Sequence, residues 1–247
     1  MNKVKVSVLT VCLNAEKTIA RTIESVLNQS CLPYEYFVID GKSSDKTVEI
    51  AKRYSNDFLK KKINYHIISE KDNGMYDALN KGAKLAKGEL VGQINSDDWY
   101  EPFAIQKMSD LYEKTGFDMA YADIRMIQSS GKSWIKEARV DKFVNSRHWN
   151  HPTQFTRREL LIKKPYACKC MSDDLDFMLW VRSNNYHVET LDKVLANFTI
   201  EGMSHSKSLK SAMNRIKTKT EIYKQNGYSV VHGIDVAVTE IGKMMLE

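Results

Sequence analysis

A chain of 247 residues, 43% hydrophobic and 28% charged, is ordinary for a soluble globular protein and long enough for one large domain or a domain with an extension. No run approaches the ~18 consecutive apolar residues of a spanning helix, and Met1-Asn2-Lys3-Val4-Lys5 leads into a strand pattern without a signal-peptide core. A cytoplasmic protein is expected, with peripheral attachment at the inner face of the cell membrane left open; the +6 charge matters more for its location than its size.

Val4 to Leu13 is aliphatic and β-branched and reads as a buried strand, stopped by Asn14. Ile19, Ile23, Val26 and Leu27 then recur at helical spacing. Tyr34 to Ile39 is a second strand ending in Asp40-Gly41, and Ser43-Ser44-Asp45-Lys46-Thr47 supplies capping chemistry for a helix through Tyr54. Ile63 to Ile68 is a third strand. It closes at Ser69-Glu70-Lys71-Asp72-Asn73-Gly74 and is followed by a helix from Met75 to Ala86. The fourth strand starts at Leu90 and breaks into Asn95-Ser96-Asp97-Asp98-Trp99-Tyr100. Alternation of this kind predicts an α/β fold with a parallel, doubly wound sheet. It places Asn14, Asp40, Asp72 and Asp97 along one sheet edge, where ligands of such folds bind.

Two adjacent carboxylates at a strand tip repel each other, and a divalent cation relieves that repulsion. Mg²⁺ or Mn²⁺ prefers hard oxygen ligands shared with substrate phosphates. The competing reading is that Asp97 and Asp98 merely end the strand and cap a helix beginning near Pro102.

Pro102 to Lys114 reads as a helix and Met119 to Ile127 as a strand. Ser129-Ser130-Gly131-Lys132 marks a hairpin turn into Ser133 to Ala138. Residues 140–165 are irregular, with Trp149-Asn150-His151-Pro152 at their centre. Asp173, Asp174 and Asp176 open a helix whose N-terminus favours negative charge. Val188 to Thr199 reads as a late strand. Ser204 to Gln225 is helical and basic, carrying Lys207, Lys210, Arg215, Lys217, Lys219 and Lys224. Apolar positions from Val230 to Ile241 suit either a homodimer helix or a cover for the core. Cys12, Cys31, Cys168 and Cys170 lack zinc-type spacing and read as reduced thiols.

The ordered series V-S-V-L-T-V-C-L-N, V-I-D-G-K-S-S-D-K-T, E-K-D-N-G-M-Y-D-A-L-N-K-G and N-S-D-D-W-Y resembles the family 2 glycosyltransferases over residues 4 to about 202. That resemblance implies a GT-A fold: a Rossmann-like, mostly parallel sheet flanked by helices. It divides the chain into a glycosyltransferase domain, 1–202, and a C-terminal basic helical extension, 203–247. Residues 1–127 would bind the nucleotide sugar and 128–202 the acceptor. By the same resemblance Thr10 to Asn14 flank the base, Asp40 hydrogen-bonds it, and Asp72 and Asn73 line the base and ribose. Asp97 faces the ribose and Asp98 ligates the metal. Gly41 stands where many members carry a second aspartate, and Asn95 where others have one. Asp174, with Asp173 next, matches the general base of an inverting transfer. His151 and Trp149 match the stretch between donor and acceptor, where aromatic rings stack on sugars, as Trp99 and Tyr100 also would. His205, after a family-like G-x-S turn, would reach the diphosphate or the metal if a C-terminal loop closes.

The activity implied is a metal-dependent hexosyl transfer from a nucleotide-diphospho sugar, UDP above others. The acceptor would be a saccharide or lipid-linked hydroxyl in bacterial cell-surface polysaccharide synthesis. The basic helix suits an anionic membrane surface, or else is a solvated face. A nucleotidyltransferase would need a Gly-rich phosphate loop where this chain has Asn14-Ala15-Glu16. A nucleic-acid-binding protein would need a basic groove where this edge is acidic, so no nucleic-acid partner is expected.

Overall fold

The structure is a computed structural model, described here for residues 4–200 and 209–246; His205 and Lys207 lie outside the described residues. Four parallel strands form one half of a nine-stranded sheet. They are β1 (Val6–Cys12), β2 (Glu35–Asp40), β3 (Asn64–Ser69) and β4 (Leu90–Gln93), in the order β3-β2-β1-β4. Helices cross over between them: α1 (Ile19–Leu27), α2 (Thr47–Arg53) with the short α3 (Ser55–Lys60), and α4 (Met75–Leu85).

All seven residues of β1 are buried because the sheet is covered on both faces, which is why the strand reads as an unbroken apolar run. Its side chains alternate: Val6 and Val8 enter a core with Ile19, Ile23 and Val26 of α1. Leu9 and Val11 enter the opposite core with Leu79 of α4. Gly88 admits the chain back to the sheet, since a Cβ there would sit 2.6 Å from the Ser7 backbone nitrogen. Buried Glu35 gathers that crossing, accepting from Ser7 Oγ at 2.6 Å and Gly88 N at 3.1 Å.

The second half departs from simple alternation. After the two-residue β5 (Trp99–Tyr100) and α5 (Ala104–Thr115) come β6 (Met119–Ile127), β7 (Ser133–Lys136), β8 (Phe155–Arg157) and α6 (Arg158–Lys163). α7 (Asp173–Ser183), β9 (Val188–Thr199), α8 (Leu209–Gln225) and α9 (Val230–Leu246) follow. β8 slots antiparallel between β4 and β6, and the path continues β6-β9-β5, with β7 hairpinned onto β6. β6 and β9 match their expected ranges residue for residue, and they pair in parallel across a bulge at Asp123. The irregular 140–165 stretch hides β8 and α6, which sequence patterning does not find. A three-residue strand carries no readable period; its pairing partners define it.

The two C-terminal helices pack on the body. Ile222 and Tyr223 of α8 and Val236 of α9 join the same buried cluster as Phe177 and Leu179 of α7.

Candidate active site

The parallel register aligns Cys12, Asp40 and Ser69 at the carboxyl ends of β1, β2 and β3, which puts Asp40 on the sheet edge read from the sequence. Its members have different fates. Asp40 is fully buried. Its carboxylate accepts from Ser43 N at 3.0 Å and Ser69 Oγ at 2.6 Å, and from the Ser43 hydroxyl. It ties two loops together and has little capacity left for a base. Thr10 is likewise interior, accepting from Tyr36 OH at 3.0 Å. Asn14 is exposed, with φ 51°, and its Oδ1 accepts from Ser44 N at 2.9 Å. Asp72 is half-buried and accepts from Gly74 N at 2.9 Å. A Cβ on Gly41 would lie 2.7 Å from Asp72 Oδ2, so the missing side chain at position 41 makes room for the Asp72 carboxylate. Asn73 is exposed beside it.

Of the paired aspartates, Asp97 is half-buried and Asp98 fully so. Asp98 Oδ1 accepts from Thr199 N at 3.1 Å, while buried Oδ2 has no hydrogen-bond partner. Burial, reinforced by the charge of Asp97, pushes the Asp98 carboxyl well above the usual carboxylate range. Burial also raises Asp97, against the pull of Arg21. Arg21 was not legible as a site residue. Its guanidinium lies 3.6 Å from the centre of the Trp99 ring and donates to the Asp97 carbonyl at 2.9 Å. That face of Trp99 is therefore covered. Tyr100 is 2% exposed, in the core against Phe155, and is no sugar platform.

An orphaned buried carboxylate oxygen, a second half-exposed carboxylate and the half-exposed Asn95 form an all-oxygen donor set. That suits Mg²⁺ or Mn²⁺, which takes one or two protein carboxylates and completes its shell with phosphates and water. Among the described residues no group of three His, Cys, Asp or Glu side chains is placed to hold a metal ion.

The second acidic cluster lies at the start of α7. Asp173 is buried, and it accepts from Lys169 N at 2.9 Å, Cys170 N at 3.1 Å and the Cys170 thiol at 3.2 Å. The structure gives Asp173 to the fold: it fastens the loop before the helix. Asp176 pairs with Lys164 at 2.9 Å. Asp174 alone of the three lines a cavity of about 260 Å³, with Trp149, His151, Met171, Phe198 and Lys219 among its walls. His151 Nδ1 lies 3.7 Å from Asp174 Oδ2, and its Nε2 lies 2.9 Å from Gln93 Oε1, which also accepts from Tyr166 OH at 3.0 Å. Burial lowers the His151 pKa, and the Asp174 charge opposes that shift. Trp149 is held by Nε1 donating to Gln154 at 2.8 Å. Gln93 and Tyr166 escaped the sequence reading. The only signal was a polar residue inside the apolar run of β4.

The paired aspartates and the cavity meet at the end of β9. Thr199 binds both aspartates, donating from Oγ1 to the Asp97 carbonyl at 3.1 Å, and the preceding Phe198 lines the cavity.

Comparison with known proteins shows which class of enzyme joins such an acidic sheet edge to a carboxylate-bearing cavity. The profile of glycosyl transferase family 2 matches residues 7–172, and the chain belongs to that family. Chondroitin synthase of Escherichia coli is 26% identical over 92% of this chain and 32% of its own length. A PGL/p-HBAD biosynthesis glycosyltransferase of Mycobacterium bovis is 28% identical over 62% of this chain and 59% of its own. The chain thus spans from a third to three fifths of the length of these relatives. Among solved structures, S. aureus TarS 1-349 in complex with UDP superposes with TM-score 0.69. It is 18% identical, over 98% of this chain and 72% of its own. The mannosyltransferase PcManGT from Pyrobaculum calidifontis, in complex with GDP-Man and Mn²⁺, superposes with TM-score 0.66 at 16% identity, over 97% and 65%. These likenesses establish the GT-A fold.

Proposed function

We propose that this chain transfers a sugar, with inversion, from a UDP-sugar to a hydroxyl of a saccharide or lipid-linked acceptor, in a reaction that needs Mn²⁺ or Mg²⁺. The observation that carries the reading is the junction at Phe198–Thr199, which joins the paired aspartates to the cavity holding Asp174. Asp174 takes the proton of the acceptor hydroxyl as that oxygen attacks the anomeric carbon. The bond to the diphosphate breaks on the opposite face, and no covalent intermediate forms. Asp97, with Asp98 beside it, would hold the metal, whose positive charge would then be available to the departing diphosphate. Asp97 is the better first ligand because it is the more exposed of the pair. Asp72, in the space left by Gly41, offers the carboxylate acceptor that a uracil imide N–H requires, while Asp40 shapes the loop. Residues 1–127 serve the donor and 128–202 the acceptor, with 203–247 as an extension whose helices α8 and α9 meet α7 and the 143–147 loop. The UDP-bound TarS and Mn²⁺-bound PcManGT support the choice of nucleotide and ion. The chondroitin synthase and PGL/p-HBAD relatives support a glycan or glycolipid acceptor.

Calorimetry with UDP, GDP and UMP, in Mn²⁺ and in EDTA, tests this on the wild type, Asp97→Ala and Asp174→Asn. The expected result is metal-dependent UDP binding, lost in Asp97→Ala and retained in Asp174→Asn. Failure of every nucleotide to bind would overturn the donor-site assignment.

A further inference from the structure

The last helix is built inside out. Val230, Val231, Ile234, Val238 and Ile241 of α9 are 82%, 57%, 61%, 63% and 46% exposed, and their spacing puts them on one face. The acidic residues between them turn inward. Asp235 pairs with Arg147. Glu240, 2% exposed, accepts from Arg215 Nε at 2.8 Å and Lys219 Nζ at 2.7 Å. A helix that merely covers a core does the reverse.

α8 and α9 run antiparallel, with Tyr223 ring-stacked on His232 near the turn and Arg215 bonded to Glu240 further along. Along that hairpin α8 exposes Lys210, Lys217 and Lys224 at seven-residue intervals, together with Leu209 and Met213, 66% and 62% exposed. Glu221 is the acidic residue among the exposed side chains of this helix. The hairpin thus exposes an apolar ridge on α9 and a basic row on α8, with both α9 carboxylates paired to basic side chains. That pattern selects a partner that is apolar inside and anionic at its surface. A second copy of the chain would set one basic row against another. Among the described residues no helix is long and apolar enough to cross a membrane, so contact would be in the plane of the interface.

We infer that the α8–α9 hairpin seats the protein on an anionic lipid surface through the Val230–Ile241 ridge of α9, with the lysines of α8 against the headgroups. The inference does not depend on which reaction the cavity performs. It shifts the expected membrane contact from the basic helix to its apolar neighbour.

Co-sedimentation of the full chain with vesicles tests it, using pure phosphatidylcholine and a mixture with about one third phosphatidylglycerol. The variants are Ile234→Glu/Val238→Glu and Lys210→Glu/Lys217→Glu/Lys224→Glu, with circular dichroism and light scattering on each. Val231→Ser/Ile234→Ser replaces the first if the glutamates unfold the helix. Wild type should bind the mixed vesicles and each variant should lose about tenfold or more in partition. Three results would each overturn the inference: no binding by wild type, full binding by the ridge variant, or a wild-type dimer that dissolves in the ridge variant without vesicle binding.

Discussion

Asp98 and Asp173 are both buried carboxylates, but they stand differently toward stability. Asp173 satisfies two backbone donors and a thiol; Asp98 keeps an oxygen without a partner. Asp173→Ala should lower stability by about 1–3 kcal/mol in urea titrations, with nucleotide affinity unchanged. Asp98→Asn should instead raise stability in EDTA by about 1–3 kcal/mol, because it removes a carboxyl whose charged form burial and the neighbouring Asp97 oppose more than Thr199, Asn95 and Arg21 favour it, while weakening metal-dependent nucleotide binding. The sequence offers Asp173 and Asp174 as neighbours in one acidic patch. Only the helix start, which turns one carboxylate back to the loop and the other to the cavity, separates them. His151 adds a pH dependence. Its folded-state pKa lies below the unfolded one, so the folded protein binds fewer protons across that window and stability falls as pH drops below about 6.5. Thermal melts from pH 7 to pH 5 should show a shallower fall in His151→Gln.

At the scale of elements, long periodic segments were readable and short inserted ones were not. β6 and β9, nine and twelve residues long, declare themselves by length. β5 and β8, two and three residues long, exist because neighbours offer them a ladder. The same limit explains Tyr100. It reads as an exposed aromatic beside two aspartates, yet β5 pairs with β9 and folds that ring into the core. Close packing of elements on the sheet falls at glycines that no periodic pattern marks. Gly82 of α4 lies over the side chains of Leu9 and Ile39, whereas Gly88 lies on the Ser7 backbone and 2.9 Å from the Lys5 carbonyl for an added Cβ. Side chains can yield and backbone cannot. Gly88→Ala should therefore cost more than Gly82→Ala, within about 1–3 kcal/mol for each, measured as paired urea midpoints.

Across the whole molecule, the acidic edge and the cavity that Asp174 lines share one sheet. The strand that locks the halves together, β8, pairs with β4 on one side and β6 on the other. The two sites therefore cannot part as rigid bodies, and adjustments for substrate entry fall to the loops at the sheet edge. The placement of β8 also governs biosynthesis. When β4 leaves the ribosome its outer edge is a row of unpaired amides and carbonyls on an apolar strand, and Phe155–Arg157 has not yet been translated. At about 5–20 residues per second, that edge stays open for several seconds in every nascent chain. It is the kind of surface on which strands from neighbouring chains pair wrongly. Slowing translation between Gln93 and Phe155 should lower soluble yield, and holding the nascent edge with a chaperone should restore it.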